Sequence, residues 1–443
     1  MNYPDSVRFL YSLGNEVKTA KYGLERITTV LEALGHPERL PRIVHVAGTN
    51  GKGSTSAMIE SGLRAAGLRT GLFTSPHLLQ PTERIRVNGC PVTAEQFTAA
   101  FDLVHACAEE LLNRGAIDFH PTYFETVTAM AFVLFQELKT EAVVLEVGLG
   151  GRLDATNVVD PELCVITPID FDHEALLGKS LEVIAGEKAG ILKRGVPAAF
   201  AAQRTEAQQT LDRRASELGV EVIRAQEVWR EEDVSYSPRG SSFTAAPQFP
   251  PVRSLQLKAT SSSAQPAARP LHILCPLAGE HQVSNAVVAV AALARLGVPD
   301  SAIERGIATT RWPGRLDRVS ETPEIILDGA HNPAGARALA AYIQRFYSGR
   351  RVVMIYGAMR DKAVAEMSGI LFAHVNEVIA TAPRQSRAVD PDTIRDLADH
   401  PCVRTAPDLA AALATARRSP PDHVIFITGS LFLVGEALAL LNG

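Results

Sequence analysis

The sequence predicts an α/β protein of two unequal parts: a P-loop ATPase-like domain on a parallel sheet over residues 1–309, and a smaller Rossmann-like α/β domain over 310–443. Three observations predict it. Apolar strand segments alternate with helical stretches up to about Val196, as in parallel sheets with crossover helices. A second alternating series begins at EIILDGAHN and runs through RVVMIYGAM, EVIATAP and HVIFITG. Finally, 443 residues exceed what one core usually organises.

The first series begins with RIVHVAGTNGKGSTSAM, residues 42–58. Ile43, Val44 and Val46 read as a buried strand, and AMIESGLRAAGL has helical spacing with Ser54 or Thr55 placed to begin the helix. The glycine loop between them departs twice from G-x-x-x-x-G-K-[ST], with Val46 five residues before Gly51 and Gly53 after Lys52. Its physics is that of a phosphate loop even so. Gly48, Gly51 and Gly53 let successive N–H groups converge on an anion, the helix N-terminus adds partial positive charge, and Lys52 adds a full one. The plain alternative is a βα turn with a surface lysine, which three glycines, a lysine and two hydroxyls in eight residues disfavour.

Further strands are expected at Thr70–Thr74, Ala142–Val147 and Leu163–Thr167. Near-continuous apolar runs such as AVVLEV suit strands covered on both faces. Ligands gather beyond the carboxyl ends of such strands. There the chain places Ser75 and His77 in TSPHL, Glu146, Arg152 and Asp154 in EVGLGGRLDATN, and Asp170, Asp172 and His173 in PIDFDHEALLG. Glu146 with Ser75 suits Mg²⁺, which takes oxygen ligands, whereas His173 is less usual for so hard a cation. Lys188 lies in a helical stretch with Ile184, Ala185, Ala189 and Ile191. Pattern alone makes it a surface lysine laid along an apolar stripe.

Residues 235–270 turn rich in Ser, Pro and Ala and read as mobile connections around short strands. A helix is expected at Gln282–Leu296, one turn into which Asn285 offers an amide to an adenine or to a helix cap. Arg315 in WPGRLDRV is a phosphate neutraliser by its bidentate guanidinium. Asp328 and His331 in DGAHNP, and Ser430 in FITGS, stand on loops after second-series strands.

The composition limits the function. A net charge of −5 gives no basic face for nucleic acid. No run approaches the roughly 18 apolar residues of a membrane span, and the N-terminus lacks a secretory pattern, so a cytoplasmic protein is expected. Five cysteines without a C-x-x-C pair argue against zinc clusters and disulfides.

Taken in order, AGTNGKGSTS, SPHL, ERIRVNG, TYFETVTAMAF, EVGLGGRLDATN, DHEALLG, EKAGILK, HQVSNA, PGR and DGAHNP closely resemble the folylpolyglutamate synthase and dihydrofolate synthase family across nearly the whole chain. The resemblance explains the GKGS spelling, since this family carries an extra glycine that the related Mur ligases lack. It implies ATP-dependent amide formation through an acyl phosphate, joining L-glutamate to dihydropteroate or a folate. It implies Gly51, Lys52, Gly53 and Ser54 as the phosphate cradle, with Asn285, Arg315 and Asp328 as further nucleotide contacts. Ser75, Glu146 and His173 become ligands of one Mg²⁺, and Lys188 becomes a carbamylated lysine ligating a second. Lys52, Lys188, His173 and Arg315 are the implied catalytic set. Tyr22, Gly23, Leu24, Thr122, Tyr123, Phe124, Glu125, Arg152, Leu153 and Asp154 correspond to the pterin-side pocket. His331 and Ser430 are candidates for the glutamate side.

TYFETVT and KYGLERI resemble bacterial members acting on both dihydropteroate and folates, which favours bifunctionality over a monofunctional synthase. A Mur-type ligase for nucleotide-linked peptides predicts a further domain before the phosphate loop, where only about 40 residues stand. A nucleotide-dependent switch requires no acceptor pocket. A monomer whose two domains close over ATP is expected.

Overall fold

The structure is a computed structural model that describes residues 1–14, 23–248, 269–418 and 422–442. Its first sheet has eight strands: β1 (Ile43–Ala47), β2 (Thr70–Phe73), β3 (Ile85–Val87), β4 (Cys90–Pro91), β5 (Ala142–Glu146), β6 (Leu163–Ile166), β7 (Ala198–Phe200) and β8 (Val222–Arg224). Their order is β4-β3-β2-β5-β1-β6-β7-β8. The sheet is parallel from β2 to β8, and β3 and β4 pair antiparallel at one edge. Strand β1 sits near the middle with all five residues buried, so the loop after it opens where strand order reverses.

Helix Lys52–Ala65 packs on one face with helix Glu280–Arg295, sharing a core with Val44, Val144, Val165 and Trp229. Helices Ala94–Asn113 and Tyr123–Glu137 cover the opposite face with Tyr3–Ser12 and Glu25–Ala33. Helices on both faces account for the unbroken apolar runs of the central strands.

Several boundaries shift from expectation. The phosphate-loop helix starts at Lys52 rather than at Ser54 or Thr55, because Gly51 adopts a left-handed conformation (φ 82°) that turns the chain into the helix immediately. Helix Gln282–Leu296 is found as Glu280–Arg295. The parallel sheet runs past Val196 to β8. The stretch expected to hold mobile connections around short strands contains the end of β9 (Trp229–Ser237) and all of β10 (Gly240–Pro247), which with β11 (Leu271–Cys275) just beyond it form an antiparallel sheet. Its alternating inward residues, Trp229, Phe243, Ala245, Leu271 and Ile273, reach the main core. Residues 249–268 of that stretch lie outside the described residues.

The third sheet comprises β12 (Asp317–Glu321), β13 (Glu324–Leu327), β14 (Val352–Tyr356), β15 (Glu377–Ala380), β16 (Val403–Thr405) and β17 (Val424–Thr428), ordered β12-β13-β17-β14-β15-β16. Five strands are parallel, with β12 antiparallel at the edge.

Candidate active site

The loop after β1 turns two lysines toward one oxygen. Lys52 Nζ donates to the Gly48 carbonyl at 3.2 Å and to Thr49 at 3.3 Å. Lys188 Nζ donates to the same Gly48 oxygen at 2.8 Å. Among the described residues neither lysine has a carboxylate in an ion pair, so the loop concentrates positive charge that a phosphate would balance. Steric fit is equally demanding. A Cβ on Gly51 would lie 2.3 Å from Asn285 Oδ1, and one on Gly53 would lie 2.9 Å from the Trp312 ring. Asn285 is buried over Gly51 and donates to Gln282 Oε1, while Gln282 reaches Ser54 Oγ at 3.3 Å.

Lys188 is 4 % exposed, so the surface reading of its helix is overturned. Burial first, then the charge of Lys52, lowers its pKa to about 7. A substantial fraction is therefore a neutral amine near neutrality.

A cavity of about 320 Å³ opens beside the loop, lined by Gly53, Ser75, Glu146, Trp312, Arg315 and Asp317 among others. Among the described residues, the single hydrogen bond to the Glu146 carboxylate comes from Ser75 N–H at 3.3 Å. Burial raises the Glu146 pKa to about 6, against the pull of Lys52, the Ser75 amide, Arg315 and Arg84. A buried, under-bonded carboxylate next to a hydroxyl is a donor set that fits Mg²⁺. Arg315 extends from the third-sheet side, where its Nη1 donates to Gly329 O at 3.3 Å.

Touching the same loop at Asn50, a polar group joins the two sheet systems. Asp172 accepts from Lys362 Nζ at 2.6 Å and lies 3.5 Å from His331 Nε2. Asn332 Nδ2 bonds Asn50 at 2.9 Å and Asp172 at 3.4 Å. Burial opposes ionisation of Asp172, but His331, Lys362 and His173 overcome it and hold the carboxyl well below its usual range. His173 Nε2 lies 3.3 Å from Lys362 Nζ. Burial, helped by the charges of Lys362, His331 and Lys52 and opposed by Asp172, lowers the His173 pKa to about 4, which favours a neutral imidazole. The charge of Lys52 acts on both Glu146 and His173, favouring the ionised carboxylate and the neutral imidazole.

Other expected site residues also make structural contacts. Thr122 and Glu125 form a reciprocal capping box, with Thr122 N–H donating to Glu125 Oε2 at 2.8 Å, and Glu125 is clamped by Arg26 at 2.6 Å. Asp154 accepts from Leu149 N–H at 2.9 Å and Thr156 N–H at 3.0 Å. Asp328 accepts from Leu316 and Ala330 N–H, each at 3.0 Å. Ser430 Oγ accepts from Phe432 N–H at 3.1 Å, and the residue is 1 % exposed. Arg152 pairs with Glu187 at 2.9 Å on the surface; Leu153 beside it is half-buried. Phe124 packs on Phe73, and Gly23 and Leu24 lead into helix Glu25–Ala33. Tyr22 lies outside the described residues.

Tyr123 stacks on Tyr11 at 5.6 Å, under Arg84 at 5.1 Å. His77 joins them, bonding Arg84 Nε at 2.8 Å and Tyr11 at 3.1 Å. Sequence reading passed over Arg84, Tyr11, Trp312, Asn50, Asn332 and Lys362. Asn50, Arg84 and Asn332 lie inside the motifs AGTNGKGSTS, ERIRVNG and DGAHNP, and Trp312 adjoins PGR, whereas Tyr11 and Lys362 carried no signal.

The fold and this site define an ATP-dependent ligase. Residues 46–293 match the Mur ligase middle domain, and residues 314–431 match the Mur ligase glutamate ligase domain. The chain is 32 % identical to the folylpolyglutamate synthase of Lacticaseibacillus casei, covering 100 % of this chain and 99 % of that protein. It is 37 % identical to the dihydrofolate synthase/folylpolyglutamate synthase of Escherichia coli, with 96 % and 92 % covered. The solved Mycobacterium tuberculosis folylpolyglutamate synthase complexed with ADP superposes with a TM-score of 0.89 at 30 % identity, covering 100 % of this chain and 99 % of that one. The chain belongs to the folylpolyglutamate synthase/dihydrofolate synthase family of Mur ligases.

Proposed function

We propose that this ligase joins L-glutamate to dihydropteroate and to reduced folates, as a bifunctional enzyme working through an acyl phosphate. The observation that carries the reading is the pair of lysines converging on Gly48 beside a buried, under-bonded Glu146. Together they suit a triphosphate and its divalent cation. Relatives support the acceptor: the E. coli protein is solved with DHPP and ADP, and a related synthase with AMPPCP and folate.

A carboxylate is a poor acylating agent because oxide is a poor leaving group. Its oxygen attacks the γ-phosphorus of ATP, the bond to the β-bridging oxygen breaks, and ADP departs. The glutamate amine then attacks the acyl carbon, loses a proton, and inorganic phosphate leaves. The protein mainly positions and neutralises. Gly51, Gly53, Ser54 and the helix N-terminus hold the phosphates; Lys52 and Arg315 offset charge on the transferred group. Asn285 orients the nucleotide side, and Asp328 fixes the turn that carries Arg315. Ser75, Glu146 and neutral His173 would hold one Mg²⁺, which supplies positive charge across the phosphate oxygens. Lys188 would hold a second as a carbamate, formed when its neutral amine adds CO₂ and releases a proton. Tyr123, Phe124 and the segment from Tyr22 to Leu24 face the pterin in this reading, with Arg152, Leu153 and Asp154 shaping the same side. His331 and Ser430 serve glutamate, while Thr122 and Glu125 complete the pterin side.

Residues 1–309 form the ATP and pterin domain in this proposal, and 310–443 the domain that closes over ATP and binds glutamate. The enzyme works as a cytoplasmic monomer. No described helix is long and apolar enough to cross a membrane. A coupled assay for ADP release tests the activity. Release should require glutamate together with either dihydropteroate or a reduced folate. Turnover on folates alone would reduce the enzyme to a monofunctional synthase, and ADP release independent of both would overturn the ligase reading.

A further inference from the structure

Away from the phosphate loop, helix Ala94–Asn113 and the segment before Tyr123 bring two imidazoles and a carboxylate together. His105 Nδ1 faces His120 Nε2 at 3.3 Å, and Glu109 Oε1 lies 4.0 Å from each. His105 and Glu109 are one helical turn apart, so helix geometry alone puts both on one face. His120 comes from the loop, and its other nitrogen settles which tautomer it holds. Nδ1 lies 2.9 Å from the Pro121 carbonyl, which can only accept, so Nδ1 carries the hydrogen and Nε2 presents a lone pair to the cluster. Orientation of an imidazole by a carbonyl behind it is a recurring support of metal-ligating histidines. Aromatic rings fix the rest: Phe9 lies 4.5 Å from the His105 ring, and Phe101 stacks on it at 5.4 Å. Among the described residues, no Lys or Arg pairs with Glu109, whose side chain is half-exposed.

We propose that His105, Glu109 and His120 bind a divalent zinc ion, with water in the fourth position. Two nitrogens and one carboxylate oxygen are a zinc donor set rather than a magnesium one. In a tetrahedral site with ligand distances of about 2.0–2.1 Å, donor atoms stand roughly 3.3 Å apart. The two histidines already meet that spacing, and a small rotation of Glu109 completes it. The ion replaces the hydrogen shared by the two imidazoles. It ties helix Ala94–Asn113 to the loop that ends at Tyr123, and so stiffens the wall stacked against Tyr11. The site is independent of the ligase chemistry and does not depend on the acceptor assigned above.

The test uses the full-length protein, loaded with one equivalent of ZnCl₂ in the presence of saturating Mg²⁺ and ADP, then dialysed and crystallised. Anomalous diffraction across the zinc edge should place a peak within bonding distance of His105 Nδ1 and His120 Nε2. Co²⁺ substituted for zinc should give the intense visible bands of a tetrahedral ion, and zinc should raise the melting temperature. Glu109→Gln should weaken zinc binding by about tenfold or more, the scale of changes around such sites. A His105→Asn/His120→Gln double variant should lose the ion and the thermal shift while melting cooperatively. Anomalous density only at the phosphate loop would overturn the proposal, as would zinc content unchanged in the double variant or no retained zinc in the parent protein.

Discussion

Lys188 and Glu146 are each kept from water, and burial drives each toward its neutral form, to pKa values of about 7 and about 6. For Lys188 the neutral amine fraction grows as pH rises through 7, so CO₂ uptake should grow with it. Carbon-13 NMR of protein equilibrated with labelled bicarbonate and Mg²⁺ should show a carbamate signal that strengthens from pH 6 to 8 and is absent in Lys188→Ala. That variant should lose most of its turnover, with partial rescue by small carboxylic acids. Glu146 carries the opposite consequence. Its folded pKa lies above the ordinary 4.5, so the folded state holds the extra proton between pH 4.5 and 6, and stability falls as pH rises across that window. The shift corresponds to about 2 kcal/mol at neutral pH. Glu146→Gln should therefore raise the melting temperature at pH 7.5 without metal or nucleotide, lose that advantage near pH 4.5, and still be nearly inactive. A variant less stable than its parent at pH 7.5 would show that the carboxylate is well compensated.

The strand–loop–helix element around Lys52 was legible in sequence because glycine spacing and apolar alternation are local signals. Its helix start was not, since it depends on the left-handed backbone of Gly51, and the close packing of Asn285 over that glycine comes from a helix far along the chain. Gly51→Ala puts a Cβ into both problems. The left-handed conformation costs about 1–2 kcal/mol, and the contact with Asn285 adds to it. Thermal denaturation should record that loss, and nucleotide affinity by calorimetry should fall more steeply than stability. Within the stretch read as mobile connections around short strands, β10 (Gly240–Pro247) gave little strand signal because Ser, Thr, Ala and Pro fill most of its positions, while Phe243 and Ala245 carry its buried face. Thr122, Glu125 and Asp154 were expected at the pterin-side pocket, and the capping and turn hydrogen bonds they also make depend on backbone geometry that a sequence pattern does not display.

Across the whole molecule, the contacts that sequence leaves most hidden span the longest separations. Asp172 and Lys362 are 190 residues apart, yet they form the buried ion pair that ties the first sheet to the third. Removing one partner of such a pair leaves the other charge uncompensated, at a cost of about 3–5 kcal/mol. Asp172→Ala should destabilise on that scale, and its separate loss of turnover should exceed what partial unfolding explains when measured well below the melting temperature. Arg315, from the third-sheet side, lines the same cavity as Glu146, an arrangement suited to an acyl-phosphate route. Oxygen-18 tests that route directly. When the acceptor carboxylate is labelled and turned over with ATP and glutamate, one labelled oxygen should appear in the inorganic phosphate for each amide formed, and mass spectrometry reads it. Phosphate free of label, with amide accumulating at the same rate, would contradict the account.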